Sequence, residues 1–328
     1  MVSPRQIASS GHSPGPVNAP PLCSGHRANH RPAPTGRVWA AGHYAWRIGP
    51  DPPASTSTSA PGGAAVQARP VSRSLVRYGA HPSQLVELWL PLGEGLLPTV
   101  VLLHGGFWRA RYAKGLMNPL ARALSARGAA VVNAEYRRCG RDGGWPYTLE
   151  DVATAVDLVS QAEGLDVHRV VVCGHSAGGQ LALWAAARHR LPPGAPGGRP
   201  VVRPCGAVSL AGVADLVAAA RSGVGAGAVQ DLLGGPPEAF ADRYTVASPL
   251  ALVPTGVPTV LVHGAADDVV PITLSTSYVR AGQSAGDPVE LVEVPGADHM
   301  SVIRPATPAG SAALSAVLAL LGQGPPGQ

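Results

Sequence analysis

The sequence predicts an α/β fold, with a mostly parallel central sheet and helices on both faces. Three observations lead there. Short apolar runs such as Thr99–Leu103 and Val170–Cys173 are too short for helices and too uniformly apolar for strands with one wet face. They alternate with segments whose apolar residues recur at helical spacing, as at Val152, Ala155, Val156 and Val159. The chain also has 328 residues, enough for one large core of this kind.

The elements follow in order from about residue 72. Gln84–Leu90 reads as a strand after the turn-like His81-Pro82-Ser83, and Thr99–Leu103 as a buried strand. Leu116–Ala126 has helical spacing, Ala129–Ala134 is strand, and Leu149–Ala162 is an amphipathic helix. Val170–Cys173 is strand, Gln180–Arg188 helix, Gly206–Leu210 strand and Thr259–His263 strand. Thr273–Ala281 is helical, Val289–Val294 is strand, and Ala312–Leu321 closes the chain as a helix. Residues 192–204 read as a surface loop rich in proline and glycine. Residues 221–247 carry a weaker helical pattern, where an insertion can shape the mouth of a site.

Composition divides the chain further. Residues 1–70 are dense in Pro, Gly, Ser, Ala and Arg and show no apolar period, so they are expected to be disordered. Their six arginines against Asp51 account for the whole formal charge of +5. The expected organisation is a disordered segment over 1–70, a catalytic domain over 71–322 and a flexible tail over 323–328. Arginine is so favoured over the single lysine, Lys114, that a G- and C-rich gene is implied, with translation expected to start near Val71. The folded part is neutral, which speaks against nucleic acid as a partner. No stretch has the length and apolarity of a signal peptide or membrane span, and the four cysteines lack metal-ligand spacing. A cytoplasmic protein with no membrane association is expected. Oligomeric state is not legible.

The chemistry centres on Val170–Gly179, where a β-branched run ends in Gly174-His175-Ser176-Ala177-Gly178 and a helical pattern begins at once. This strand, tight turn and helix would hold the Ser176 hydroxyl exposed at the end of a parallel strand. A serine needs a base, and the base needs an orienting acid. Asp267, in His263-Gly264-Ala265-Ala266-Asp267-Asp268-Val269-Val270-Pro271, is the expected acid, with Asp268 as the neighbouring alternative. His299, in Gly296-Ala297-Asp298-His299, is the expected base. All three follow the C-terminal ends of predicted strands, the edge where open parallel sheets place their sites. The N–H groups of Gly106, Phe107 and Ala177 are the expected oxyanion donors, and Trp108 the expected substrate-binding residue, with plain loop packing as its alternative.

With these motifs in view, residues 75–322 resemble α/β-hydrolases of the esterase and acyl-peptide-hydrolase kind. His104-Gly105-Gly106-Phe107-Trp108 also resembles the oxyanion loop of kynurenine formamidases. The resemblance implies Ser176 as nucleophile, Asp267 as acid and His299 as base, acting on a small-molecule ester or amide substrate. Carboxylic ester hydrolysis through an acyl-enzyme is the first expectation and an arylformamidase-type amide the second. A non-catalytic scaffold is the third. Phe107 stands where many esterases have a third glycine, which leaves the substrate open. No cofactor and no metal is expected: only His26 and His30 have i, i+4 spacing, in the opening segment without a glutamate between them. His104, His175 and His263 read as structural hydrogen-bonders, Asp298 as a turn carboxylate, Asp215 as a helix cap, and Asp151 as a first-turn charge suited to a helix dipole.

Overall fold

The computed structural model describes residues 70–93 and 95–323. The expectations for the opening segment, for His26 and His30, and for the last five residues lie outside them. The strands are β1 (Val71–Arg77), β2 (Leu85–Pro91), β3 (Leu97–Leu103), β4 (Ala130–Ala134), β5 (Leu165–His175), β6 (Gly206–Leu210), β7 (Thr259–Gly264) and β8 (Val289–Val294). The helices are α1 (Asn118–Ser125), α2 (Tyr147–Asp157), α3 (Ala177–Ala186), α4 (Leu216–Arg221), α5 (Ala228–Leu233), α6 (Ala241–Ala247), α7 (Thr273–Ser284) and α8 (Pro308–Gln323). All eight strands form one sheet in the order β1-β2-β4-β3-β5-β6-β7-β8. β2 is antiparallel to both of its neighbours, and every other pairing is parallel.

The apolar runs are uniform because both sides of the sheet are covered. Along β3, Val101 and Leu103 enter one core while Val100 and Leu102 enter the other. β5 alternates likewise, Val170 and Val172 against Val171 and Cys173. A strand alternates its side chains between faces, so burial on both faces demands an apolar residue at every position. One core lies under α2, α3 and α7, the other under α1 and α8. Cys173 and Cys205 are buried in the second core, and burial pushes the Cys173 thiol far up, as suits a small hydrophobe.

Three departures from the sequence expectations have physical reasons. β1 is an edge strand paired only with β2; its sequence mixes Val, Leu, Ser and Arg, so it carries no buried-strand signature. The weak pattern at 221–247 resolves into parts of α4, all of α5 and α6, and glycine turns between them. Asp151, expected as a first-turn charge suited to the helix dipole, instead sits past the first turn of α2 as part of a polar cluster. It is buried and accepts Arg137 Nε and Nη2 at 2.9 and 2.7 Å and Gln84 Nε2 at 2.7 Å. Asp215 does cap α4, its Oδ1 accepting the N–H of Val217 and Ala218 at 2.9 and 3.1 Å.

α3 starts hard against β3. A Cβ on Gly178 would lie 2.1 Å from the Leu103 carbonyl oxygen, whereas one on Gly115 would meet nothing within 4 Å. Gly178→Ala is therefore expected to destabilise by about 1–3 kcal/mol, the cost of forcing extra volume into a packed interior. Gly115→Ala should stay within about 0.5 kcal/mol of the parent. Equal melting temperatures for the two variants would contradict this packing.

Candidate active site

The C-terminal edge of the sheet gathers the expected residues. Ser176 follows β5 directly, with φ 55° and ψ −119°, a conformation disfavoured for a residue with a Cβ. The turn closes because Gly174 and Gly178 lack side chains: a Cβ on Gly174 would stand 1.9 Å from the Gly178 carbonyl oxygen. Ser176 N–H donates to Leu210 C=O at 2.8 Å, tying the turn to the end of β6. Its carbonyl then accepts Gly179 N–H at 2.8 Å and Gln180 N–H at 3.2 Å, which starts α3. Such strain costs on the order of 1–3 kcal/mol and persists only where the surroundings over-determine it.

Asp267 and His299 come from the loops after β7 and β8. These loops are pressed together: a Cβ on Gly264 would lie 2.1 Å from Ala297 C=O, and Ala266 N–H donates to that carbonyl at 3.0 Å. His299 Nδ1 meets Asp267 Oδ2 at 2.7 Å. Asp267 Oδ1 accepts Val269 and Val270 N–H, both at 2.9 Å. Burial pushes this carboxyl up, but hydrogen bonds from His263, His299 and Val270 outweigh it and hold the pKa far below the usual range. Asp268 is exposed. Asp298 turns away to accept Met300 N–H and Ser301 N–H at 2.9 and 2.8 Å, the turn role expected of it.

His175 joins the histidine to the elbow. Its Nε2–H donates to His299 C=O at 2.9 Å, and the two rings lie 4.7 Å apart, centroid to centroid. Burial, and next the charge of His299, push the His175 pKa down to about 3, so this ring stays neutral. Its Nδ1 is buried without a partner among the described residues. Among the described residues, neither Ser176 Oγ nor His299 Nε2 has a hydrogen-bond partner, so both are free to meet a substrate.

The loop after β3 abuts the elbow. A Cβ on Gly105 would lie 2.8 Å from His175 C=O and 3.0 Å from Ser176 Cβ. Gly106, Phe107 and Trp108 have φ of 115°, 55° and 54°, and two consecutive bulky residues in that region are outliers. Among the described residues, the N–H groups of Gly106, Phe107 and Ala177 donate to no protein acceptor. Trp108 points inward. It is 1% exposed and its Nε1–H donates to Gln180 Oε1 at 3.0 Å, so it packs the loop onto the body, the alternative role the sequence left open for it. Phe107 packs beside Gly225 in the insertion, and Arg109 reaches Ala226 C=O and Asp231, both at 3.0 Å.

Sequence reasoning missed what anchors this loop. His104 Nε2 meets Glu135 Oε1 at 2.8 Å, and its ring stacks on Tyr136 with centroids 4.4 Å apart. Tyr136 O–H donates to His104 C=O at 2.7 Å, while Arg138 pairs with Glu135 at 2.8 Å. The available signal was a charged residue, Glu135, directly after β4, a strand whose residues are apolar except for Asn133. Among the described residues, no cluster of three His, Cys, Asp or Glu side chains is arranged to hold a metal. No helix among them is long and apolar enough to cross a membrane.

Comparison with known proteins agrees with this architecture. The chain is similar to a truncated carbohydrate esterase from gut microbiota, with a TM-score of 0.66 and 21% identity over 80% of this chain and 100% of that one. It is likewise similar to carboxyl esterase 2 of Tuber melanosporum, with a TM-score of 0.61 and 20% identity over 78% of this chain and 89% of that one. A bacterial heroin esterase gives a TM-score of 0.62 and 21% identity over 79% of this chain and 85% of that one. These likenesses show a shared α/β-hydrolase fold. In sequence, 119 residues are 33% identical to a probable isoprenylcysteine alpha-carbonyl methylesterase of Arabidopsis thaliana, covering 35% of this chain. The match takes in only 28% of that relative's length. The BD-FAE family model matches residues 86–281, which include Ser176 and Asp267 and stop short of His299. That span is more than half of the chain, and the chain belongs to the BD-FAE family.

Proposed function

We propose that the protein is a serine carboxylesterase whose catalytic domain spans residues 71–322. Ser176 Oγ attacks the carbonyl carbon of a small-molecule ester, and His299 Nε2 takes the hydroxyl proton. His299 then returns that proton to the departing alkoxide, leaving an acyl group on Ser176. Water, deprotonated by the same imidazole, clears the acyl group and restores the serine. Asp267 holds Nδ1–H of His299, so that Nε2 keeps its lone pair toward the reaction. The N–H groups of Ala177 and of Gly106 or Phe107 meet the oxyanion.

The observation that carries this reading is the 2.7 Å contact between His299 Nδ1 and an ionised Asp267, at the sheet edge where Ser176 sits strained. The esterase likenesses support it. His175 is unsuited as the base, because its Nε2 is spent on a carbonyl and its ring resists a proton. An arylformamidase-type amide is the second reading, on the likeness of His104–Trp108 to that loop. Trp108 lies inside the core, so that likeness concerns how the loop is held more than how a ring would bind.

Labelling with a fluorophosphonate tests the assignment. The parent is expected to react at Ser176, and Ser176→Ala to lose both the label and on the order of 10⁴–10⁶ in kcat on p-nitrophenyl esters. Asp267→Asn should cost on the order of 10³–10⁴, and Asp268→Asn far less. N-formylkynurenine run beside the esters ranks ester against formamide. An unreactive parent would leave a binding scaffold in place of an enzyme.

The neutral His175 gives a further expectation. Its pKa of about 3 in the fold lies below the ordinary 6.5, so the unfolded chain binds the proton first. Stability should therefore fall as pH drops from about 6.5 toward 3, with a slope approaching one proton from this ring. Denaturant melts across that window should show a shallower slope for His175→Asn than for the parent. The same slope in both would refute it.

A further inference from the structure

His263 lies next to the end of β7, wholly buried, and the scheme above gives it no task. Its Nε2 faces two acceptors, Val270 C=O at 3.0 Å and Asp267 Oδ2 at 3.2 Å. An imidazole nitrogen between two acceptors has to carry the proton. The other nitrogen, Nδ1, lies 2.8 Å from Ser275 Oγ in the first turn of α7. A serine hydroxyl can donate there, and doing so fixes the tautomer. Oδ2 is also the oxygen that His299 Nδ1 meets at 2.7 Å. Two imidazoles thus share one oxygen of one acid.

We propose that His263, its tautomer set by Ser275, is a positioning residue that holds Asp267 and tempers the basicity of His299. This rests on the hydrolase reading above. Two backbone N–H groups pin Oδ1, and His263 supplies the third donor, so the carboxylate cannot swing away from His299. Each donor on Oδ2 also draws negative charge toward itself and leaves less to stabilise a protonated His299. Without His263, the His299 imidazolium would be favoured and the free base would be scarcer near neutrality.

Other titratable groups surround the cluster. Asp268 follows Asp267, Asp298 precedes His299, and His175 contacts His299. Glu293 occupies the β8 position in register with His263, and Tyr278 stands one turn along α7 from Ser275. Glu293, Asp268 and Asp298 are exposed, so the buried donors dominate the field at Oδ2. The competing account is a buried, satisfied histidine whose loss costs stability alone.

The test uses the full chain and three variants: His263→Phe keeps the ring without a donor, His263→Gln restores an N–H near Nε2, and Ser275→Ala frees the tautomer. The His299 titration is followed by NMR, which needs no substrate, beside kcat and KM on a p-nitrophenyl ester. In His263→Phe the His299 midpoint should rise by about half to one pH unit. Its kcat should fall on the order of tenfold with KM little changed. Ser275→Ala should move both in the same direction by less, and His263→Gln should return them toward the parent. An unchanged His299 midpoint in the variants, with only the melting temperature lowered, would overturn the proposal. If His263→Phe does not fold, Ser275→Ala against the parent decides it. A parent that no fluorophosphonate labels would sink the hydrolase reading alone, since the His299 titration still reports on His263.

Discussion

The backbone at Ser176 stands in a conformation that a free chain would leave, and the close approach of three strands and one helix keeps it there. Gly174 and Gly178 let the turn fold onto itself and onto Leu103, and Leu210 C=O holds the Ser176 N–H. Each restraint comes from a different element, so the strain at the serine is shared by β3, β5, β6 and α3. A fault in any of them would relax the turn. The site is in this sense a property of the sheet edge, and the uniformly apolar strands matter to function because they hold that edge still.

Polar groups extend the same logic outward. The loop at His104–Trp108 carries three successive residues with positive φ, and its shape is held from several sides. Glu135 and Tyr136 grip His104, Gln180 holds the Trp108 ring, and Arg109 ties the loop to the insertion at Ala226 and Asp231. Glu135 is buried, which by itself would raise its pKa; His104, Arg138 and the Lys114 N–H outweigh that and keep it ionised. Buried charges of this kind are weak evidence for stability, but they specify one arrangement of a loop that has no regular structure to define it. On the other side of the elbow, Asp267 receives two backbone N–H groups and two imidazoles.

Much of this was legible in the chain because the informative features are local. β6 and β8 begin and end at the residues the sequence marks, Gly206–Leu210 and Val289–Val294, since each is bounded by residues that suit loops. The elbow announces itself by a strand, five residues and a helix in immediate succession. What escaped notice depends on partners far along the chain. β1 takes its place only by pairing with β2, and Asp151 is a hub only because Arg137 and Gln84 fold back onto it. Trp108 beside a glycine loop invites a pocket role, yet the left-handed backbone at Phe107 and Trp108 turns the indole into the core. Nothing in the residue types signals that turn. His263 could be read as a structural hydrogen-bonder, but its partner Ser275 lies on the next helix and is invisible to a motif.

The central claim is that Ser176, His299 and the unpaired N–H groups around the elbow act on one reacting centre. A crystal structure of the protein after reaction with a small alkyl phosphonate tests this most directly, because the adduct mimics the tetrahedral intermediate. The account requires phosphorus bonded to Ser176 Oγ and a phosphonyl oxygen about 2.7–3.1 Å from the N–H of Ala177 and of Gly106 or Phe107. It also requires His299 Nε2 within hydrogen-bond reach of the adduct. Phosphorus on another side chain, or an adduct on Ser176 with its oxygen turned away from those amides and His299 remote, would contradict it.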